Sequence, residues 1–591
     1  MSDNLKSPSI LSAIEKLRFL LTKQEKIKWL GIVAFAIGSS LLEVVTASVI
    51  VIFAQVLNDP SAGQKYLLKV GYADYLSPGR TVFYIAVLVG AIYLAKNIVA
   101  GIEAFFQNFT IQKMNYQFKN KLLYRYAEAD YAFYLTRNSS LGLAVIGGDA
   151  EQMFSSGMLS VAIILSESLI FICLLAMIIY MNPSLALIIF TIGAVLGLCI
   201  IKGLLPQFYR WGRLLQDASL LASQNLLQFF HGFKEIILLG KRDAFINAYQ
   251  EQSRKKSRIQ ALQTATNTLP RLVIETVFIG IFVLTIAILC REHESPVQMI
   301  GILGGYLYVG FRLMPGLNRI LNQINVLKGI IPSIERVYNE YNVVSVKEKY
   351  IDVPDFKFEK SITVQDATFS YPNAKKDALK EVSFKIQKGE CIGIVGETGS
   401  GKSTLVDVFL GLLRPYKGSV LVDENYPVNS YQWHQKIGYV PQSIYLTDDA
   451  IEANIAFGEQ EIDQARLNNA IDAAQLRKFI DQLPEGSKTI VGERGIRLSG
   501  GERQRISIAR ALYRCPEVLI FDEATSALDN DTEAKLMETI NDISQNRTVI
   551  MIAHRLTTLK DCSRIVMMEK GQIKEITIYK NLQKDQVKNH A

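Results

Sequence analysis

Apolar residues gather in six long blocks in the first half of the chain, at approximately 29–57, 82–107, 157–181, 184–205, 271–290 and 297–322. Each approaches the roughly 20 residues a helix needs to cross a bilayer. Two kinds of connection join them. Little more than "NPS" separates the third block from the fourth, and "REHESPV" separates the fifth from the sixth. By contrast, about 50 residues lie between the second and third and about 65 between the fourth and fifth, both stretches rich in Lys and Arg. Basic loops stay on the cytoplasmic side, so the long links and both termini are expected there. Read as helices, arms of about 30 residues reach about 45 Å beyond the membrane. Ahead of the first block, Ile10, Leu11, Ile14, Leu17, Leu20 and Leu21 recur at helical spacing among Glu15, Lys16, Arg18 and Lys23, the pattern of an amphipathic helix in the inner interface.

After about residue 330 the pattern becomes that of a soluble α/β domain. The expected fold is an α-helical transmembrane domain of six spans with long cytoplasmic extensions, followed by an α/β phosphate-loop domain. The boundaries read as 1–340 for the membrane domain with its interfacial helix, 341–358 for a polar linker, and 359–591 for the α/β domain.

Composition changes this picture little. The 591 residues are 49% hydrophobic and carry a net charge of +8, whose basic residues fall mainly between apolar blocks. That distribution suits loops beside anionic lipid and argues against a nucleic-acid partner. Six cysteines, Cys173, Cys199, Cys290, Cys391, Cys515 and Cys562, show no CxxC and no metal spacing. The N-terminal "MSDNLKSPSI" lacks the apolar core and cleavage site of a secretory signal.

Chemistry enters in the second half with "ECIGIVGETGSGKSTLVDVFLGLL". A buried-strand pattern ends at Val395, a helix pattern starts at Ser403, and between them stand Gly396, Glu397, Thr398, Gly399, Ser400, Gly401, Lys402, Ser403 and Thr404. Glycines let backbone N–H groups close on phosphate oxygens, Lys402 reaches the β/γ-phosphates and Ser403 offers a Mg²⁺ ligand. The helix N-terminus adds its positive dipole end. Further on, "EVLIFDEATSALD" delivers Asp522 and Glu523 at the C-terminal end of an apolar strand, where α/β ligands bind. Asp522 suits Mg²⁺ and Glu523 the attacking water. The expected cofactors are ATP and Mg²⁺, and the expected enzyme is an ATP hydrolase.

The segment "LSGGERQR" at 498–505, ahead of that acidic strand, resembles the signature of ABC-transporter ATPases. Six spans with long arms followed by one such domain resemble the type I (type IV) exporter half-transporters over the whole chain. The resemblance implies roles for further residues. Tyr371 in "FSYP" matches the aromatic that stacks on adenine. Gln442 in "YVPQS" matches the glutamine that senses Mg²⁺ and contacts the membrane domain. "TIVGERG" (489–495) is similar to the exporter segment that touches coupling helices. Asp529 matches the loop that communicates between sites, and His554 the histidine at the γ-phosphate. Ser499, Gly500, Gly501 and Glu502 would cap ATP held by a second chain, so the resemblance implies a dimer, with a homodimer favoured by intact motifs. It also makes 231–245, "HGFKEIILLGKRDAF", a coupling helix.

Cations inside apolar blocks bear on the cargo. A charged side chain in hydrocarbon costs about 2.5–3.5 kcal/mol even on the lenient scale. Arg312 lies 15 residues into the inward-running sixth block, about 22 Å along at 1.5 Å per residue. Lys96 sits at similar depth, Arg271 at the inner interface and Arg319 near the cytoplasmic boundary. Lys96 and Arg312 admit two readings, a wet cavity for an anionic group or pairing with acids such as Glu275; for Arg319 the pairing is preferred. "IYLTDDAIEANIAFG", "GFKEIILLGKRDAF" and "FRLMPGLNRI" are similar to bacterial lipid-linked oligosaccharide flippases of the PglK type. This resemblance implies a polyprenyl-diphosphate-linked oligosaccharide as substrate, moved from the inner to the outer leaflet of the bacterial inner membrane. A lipopolysaccharide precursor, another lipid, a drug or a peptide is the alternative.

Overall fold

Long helices carry the apolar blocks. A computed structural model describes residues 9–58, 77–181, 191, 202–291, 296–344, 353–372, 374–523, 533–534, 537–538, 540, 547–553 and 556–582. Four described stretches, Lys23–Ile50, Gly79–Ala127, Ser139–Ala176 and Arg242–Val283, are long and apolar enough to cross a membrane. The block at 184–205 lies almost entirely outside the described residues. The block at 297–322 falls in the Pro296–Val343 helix, where most side chains before Leu313, including that of Arg312, are also outside them.

The helices Pro78–Ala127 and Arg242–Arg291 have 50 residues each, about 75 Å at 1.5 Å per residue. That length is more than twice a hydrocarbon core of about 30 Å. Each is apolar at one end and polar at the other, so one continuous helix supplies both a span and an arm. The chain divides into two compact units. The first takes Met1–Ala127 and Asn138–Ser345, the second Glu128–Arg137 and Val346–Ala591.

In the first unit the Ile10–Leu20 helix is capped by the Ser9 hydroxyl, which accepts from the Ser12 N–H at 3.1 Å. It buries Ala13, Leu17 and Leu20, exposes Leu11 and Phe19, and joins the Pro296–Val343 helix through Lys16 and Glu335 at 3.0 Å. The Leu205–His231 helix meets the Pro296–Val343 helix backbone to backbone at Gly212: a Cβ there would fall 1.8 Å from the Gly329 carbonyl oxygen. Between the Leu205–His231 and Arg242–Arg291 helices, the expected coupling segment forms a short Phe233–Leu238 helix with Leu238 and Leu239 exposed.

The second unit holds two sheets. Strands β1 (Ser361–Phe369), β2 (Leu379–Gln387), β4 (Lys417–Val422) and β5 (Tyr426–Pro427) form one, in the order β2-β1-β4-β5 and antiparallel. The other runs β10-β9-β3-β8-β7-β6, built from β3 (Cys391–Gly396), β6 (Ile437–Val440), β7 (Val518–Asp522), β8 (Thr548–Ile552), β9 (Arg564–Glu569) and β10 (Gln572–Thr577). Five of its six strands, β9, β3, β8, β7 and β6, are parallel, and β10 pairs antiparallel with β9. The whole of β7 and β8 and the middle of β3 are buried, which is why these strands read as unbroken apolar runs. A short helix from the first cytoplasmic arm, Tyr131–Leu135, belongs to this unit, with Ala132 packed on its core.

Candidate nucleotide site and membrane-domain cavity

Strand β3 ends in the phosphate loop, and the Lys402–Phe409 helix begins immediately after it. Gly401 has φ 103, which a side chain would strain, and a Cβ on Gly396 would lie 2.3 Å from the Met568 carbonyl oxygen. At Gly396 and Gly401 the loop is therefore bare backbone, drawn close to its neighbours. Lys402 is buried and its ammonium donates to the carbonyls of Gly396 at 2.7 Å and Glu397 at 3.0 Å. Ser403, Glu397, Thr398 and Gly399 are exposed along the rim, while Thr404 is buried and shares a hydrogen bond of 2.9 Å with the Tyr371 hydroxyl.

Parallel pairing of β6 with β7 brings the other half of the site together. Asp522 ends β7 and Glu523 follows with φ 52, in the left-handed region that non-glycine residues seldom adopt. Gln442, two residues past β6, donates from Nε2 to Glu523 Oε2 at 2.5 Å. Tyr439 on β6 donates to Asp522 Oδ2 at 3.4 Å. Burial and the neighbouring Glu523 carboxylate raise the Asp522 pKa, and burial together with Asp522 and Asp407 raises that of the Tyr439 phenol. Asp407, on the helix after the phosphate loop, is pushed up to about 6 by burial and the charge of Asp522.

Two buried oxygens, Ser400 Oγ and Asp522 Oδ1, have no hydrogen-bond partner among the described residues. An unpartnered carboxylate oxygen beside a lysine and a glycine cradle fits a triphosphate with its Mg²⁺. Ser403 and Asp522 are the residues that would hold the metal, with Gln442 beside them. When bound, Mg²⁺ supplies divalent charge that stabilises the transferring phosphoryl group.

Ser499, Gly500, Gly501 and Glu502 open the Gly500–Tyr513 helix, where Ser499 and Glu502 form a reciprocal capping box. Asp529 and His554 lie outside the described residues. Sequence reasoning missed Tyr439 and Asp407. A lone carboxylate in "STLVDVFLGLL" and a tyrosine three places before Gln442 were the available signals.

Of the four cations singled out in the membrane half, Arg271 lines a cavity of about 910 Å³ in the first unit. Its Nε donates to Glu275 at 2.8 Å on the same helix. Lys96 lies 3.1 Å from Glu43 in a mostly buried pair and 4.6 Å from the centre of the Tyr93 ring. Arg319 pairs with Glu167 at 3.0 Å. The structure therefore puts Arg271 at the cavity and gives Lys96, Arg271 and Arg319 each a carboxylate partner.

A strand–loop–helix phosphate cradle, an acidic strand end behind it and a separate bundle of membrane-length helices define an ATP-dependent membrane transporter. The chain belongs to the ABC transporters: residues 29–297 match the ABC transporter transmembrane region and residues 379–526 the ABC transporter family. It is 30% identical over 501 residues to an ATP-dependent lipid A-core flippase of Saccharophagus degradans, covering 81% of this chain and 82% of that one. A protein of the same description from Alkalilimnicola ehrlichii is 27% identical, with 85% and 86% covered. A bacterial Atm1-family ABC exporter, solved with ATP bound, shares the fold at a TM-score of 0.73 and 23% identity, over 92% of this chain and 96% of that one.

Proposed function

We propose that this chain works as a homodimeric, ATP-driven flippase for a polyprenyl-diphosphate-linked oligosaccharide. It would move the lipid from the inner to the outer leaflet of the bacterial inner membrane, with the nucleotide-binding domain and both termini in the cytoplasm. The observation that carries the lipid class is the pairing of a cavity of mixed lining, with Arg271 on its wall, with relatives described as lipid A-core flippases. Multidrug export would call for an apolar, aromatic-lined cavity instead.

Within this reading Glu523 is the base that orients the attacking water, held by Gln442, and Asp522 and Ser403 hold Mg²⁺. His554 acts at the γ-phosphate, and Asp529 belongs to the loop that communicates between the two sites. Tyr371 stacks on the adenine, and Ser499 with Gly500, Gly501 and Glu502 closes the partner chain's ATP. For the cargo, the weight falls on Arg271 and Arg312. A guanidinium grips phosphate oxygens in pairs, and Arg271, although paired with Glu275, is more exposed at 65% than Lys96 at 11% or Arg319 at 50%.

A second reading, transport of a lipid A-core lipid, is favoured by the relatives. Stimulation of ATP hydrolysis by purified lipids separates the two. The proposal expects the polyprenyl-diphosphate oligosaccharide to stimulate and drugs to be inert. Stimulation by lipid A-core alone would transfer the assignment to the second reading.

A further inference from the structure

Where the chain enters its first membrane-length helix, a second groove opens in the first unit. It lies among the Ile10–Leu20 helix, the beginning of the Lys23–Asn58 helix and the segment carrying Met158 and Val161, and shares no lining residue with the cavity at Arg271. Its volume, about 360 Å³, is at the lower end of the roughly 300–1,000 Å³ of ligand pockets. Seven of the nine side chains lining it are apolar, and the other two are Arg18 and Lys26. Leu17 and Met158 are buried and make an apolar floor, while Arg18 and Lys26 are exposed and make a cationic rim.

That rim is not neutralised. Among the described residues, Arg18 and Lys26 have no carboxylate partner and the Trp29 indole N–H has no acceptor. The acids of the same stretch are turned elsewhere. Glu25 is buried and accepts from the Thr22 N–H at 2.7 Å and hydroxyl at 2.8 Å, and Glu15 does not line the groove. Lys23 and Lys28 add further positive charge to this stretch. The Lys23–Ile50 segment is long and apolar enough to cross a membrane, which sets Lys26 and Trp29 at its edge. Tryptophan suits that level, its ring among acyl chains and its N–H among headgroups. Basic residues just outside a span attract anionic lipid. A sugar chain would meet no carboxamide, hydroxyl or carboxylate in this lining. A zwitterionic headgroup would bring its ammonium toward two cations, with no acid there to receive it.

We propose that the groove holds an anionic phospholipid of the leaflet in which the first span begins. One acyl chain lies along Leu17, Trp29 and Met158, and Arg18 and Lys26 hold the phosphate. The site does not depend on which lipid is carried. Its occupant steadies a helix that is itself tied to the Pro296–Val343 helix, through Lys16 and Glu335 at 3.0 Å and the Phe19 and Tyr338 rings at 5.4 Å.

Contact quenching by brominated lipids tests this. The chain has three tryptophans, and Trp211→Phe/Trp433→Phe leaves Trp29 as the reporter. The full-length protein is placed in nanodiscs of equal phosphatidylglycerol and phosphatidylcholine, with bromine on the acyl chains of one lipid and then of the other. Phosphatidylglycerol is expected to be favoured at Trp29 by at least about fivefold, the effect of a single cation beside anionic lipid. In that background Arg18→Gln/Lys26→Gln should bring the ratio within about twofold of unity, while brominated phosphatidylcholine still quenches and ATP hydrolysis shows that the protein is folded. Arg18→Glu/Lys26→Glu should reverse the preference. Equal quenching by the two lipids in the parent, or a preference that survives the Gln pair, overturns the site. Displacement of brominated phosphatidylglycerol by polyprenyl diphosphate in amounts matching the protein would assign the groove to the carried lipid and overturn it as well.

Discussion

Glu523 and Asp522 are adjacent in sequence, yet they occupy different environments. Asp522 is buried at the end of β7, while Glu523 turns out of the sheet to Gln442. Glu523→Gln should therefore leave ATP binding intact and slow hydrolysis by at least about 100-fold, as loss of a general base does. Nucleotide binding and phosphate release, measured side by side, check the separation. Asp407 gives a pH-dependent prediction. Its native pKa, about 6, lies above the ordinary 3.8, so the folded domain holds that proton more tightly than the unfolded chain does. Below the ordinary value both states are protonated and the group makes no difference. Stability should fall as pH rises through about 4 to 6 and stay lowered above that. Asp407→Asn should melt higher than the parent above about pH 7, with no such gain near pH 4, in scans without nucleotide. Lys402, Asp522 and Glu523 were legible because their chemistry depends on local spacing. Tyr439 was not: its hydroxyl reaches Asp522 only because β6 pairs in parallel with β7, setting Tyr439 opposite Ile520.

The elements show the same division. Spans and arms were readable because a 50-residue helix that changes from apolar to polar records its own membrane boundary. Short elements were harder. The Phe233–Leu238 helix was picked out by its glycine break and apolar cluster, but Tyr131–Leu135 carries five residues with no such signal and gains its place by packing Ala132 on the second unit. Close helix approach was equally hidden. Gly212 looks like any helical glycine until the Gly329 carbonyl is placed against it. Gly212→Ala should force the two helices apart and destabilise by about 1–3 kcal/mol, the usual range for overpacking. Gly38→Ala, whose Cβ would meet nothing within 4 Å, should be neutral or slightly stabilising. Thermal unfolding of the two variants in one detergent compares them directly.

One phosphate loop and one signature segment per chain shape the whole-molecule account, in which each ATP is completed by a second chain. Mixing Lys402→Ala chains with Ser499→Arg chains should restore one composite site in the mixed dimers and recover part of the ATPase activity, while either variant alone stays inactive. Cooperative hydrolysis by isolated monomers would contradict this assembly. Cargo was the part least legible in sequence, because it depends on surfaces facing another molecule and not on spacing within one chain.

The central claim is that ATP hydrolysis by this chain drives a phosphate-linked glycolipid across the bilayer. The most direct measurement follows a fluorescent polyprenyl-diphosphate oligosaccharide between leaflets of proteoliposomes containing the purified protein. The account predicts flipping that requires ATP and Mg²⁺, is abolished by Glu523→Gln, and is lost in Arg312→Ala while basal hydrolysis persists, with Arg312→Lys intermediate. Transfer that proceeds equally without ATP, or no transfer of this lipid by protein that hydrolyses ATP and flips lipid A-core, would contradict it.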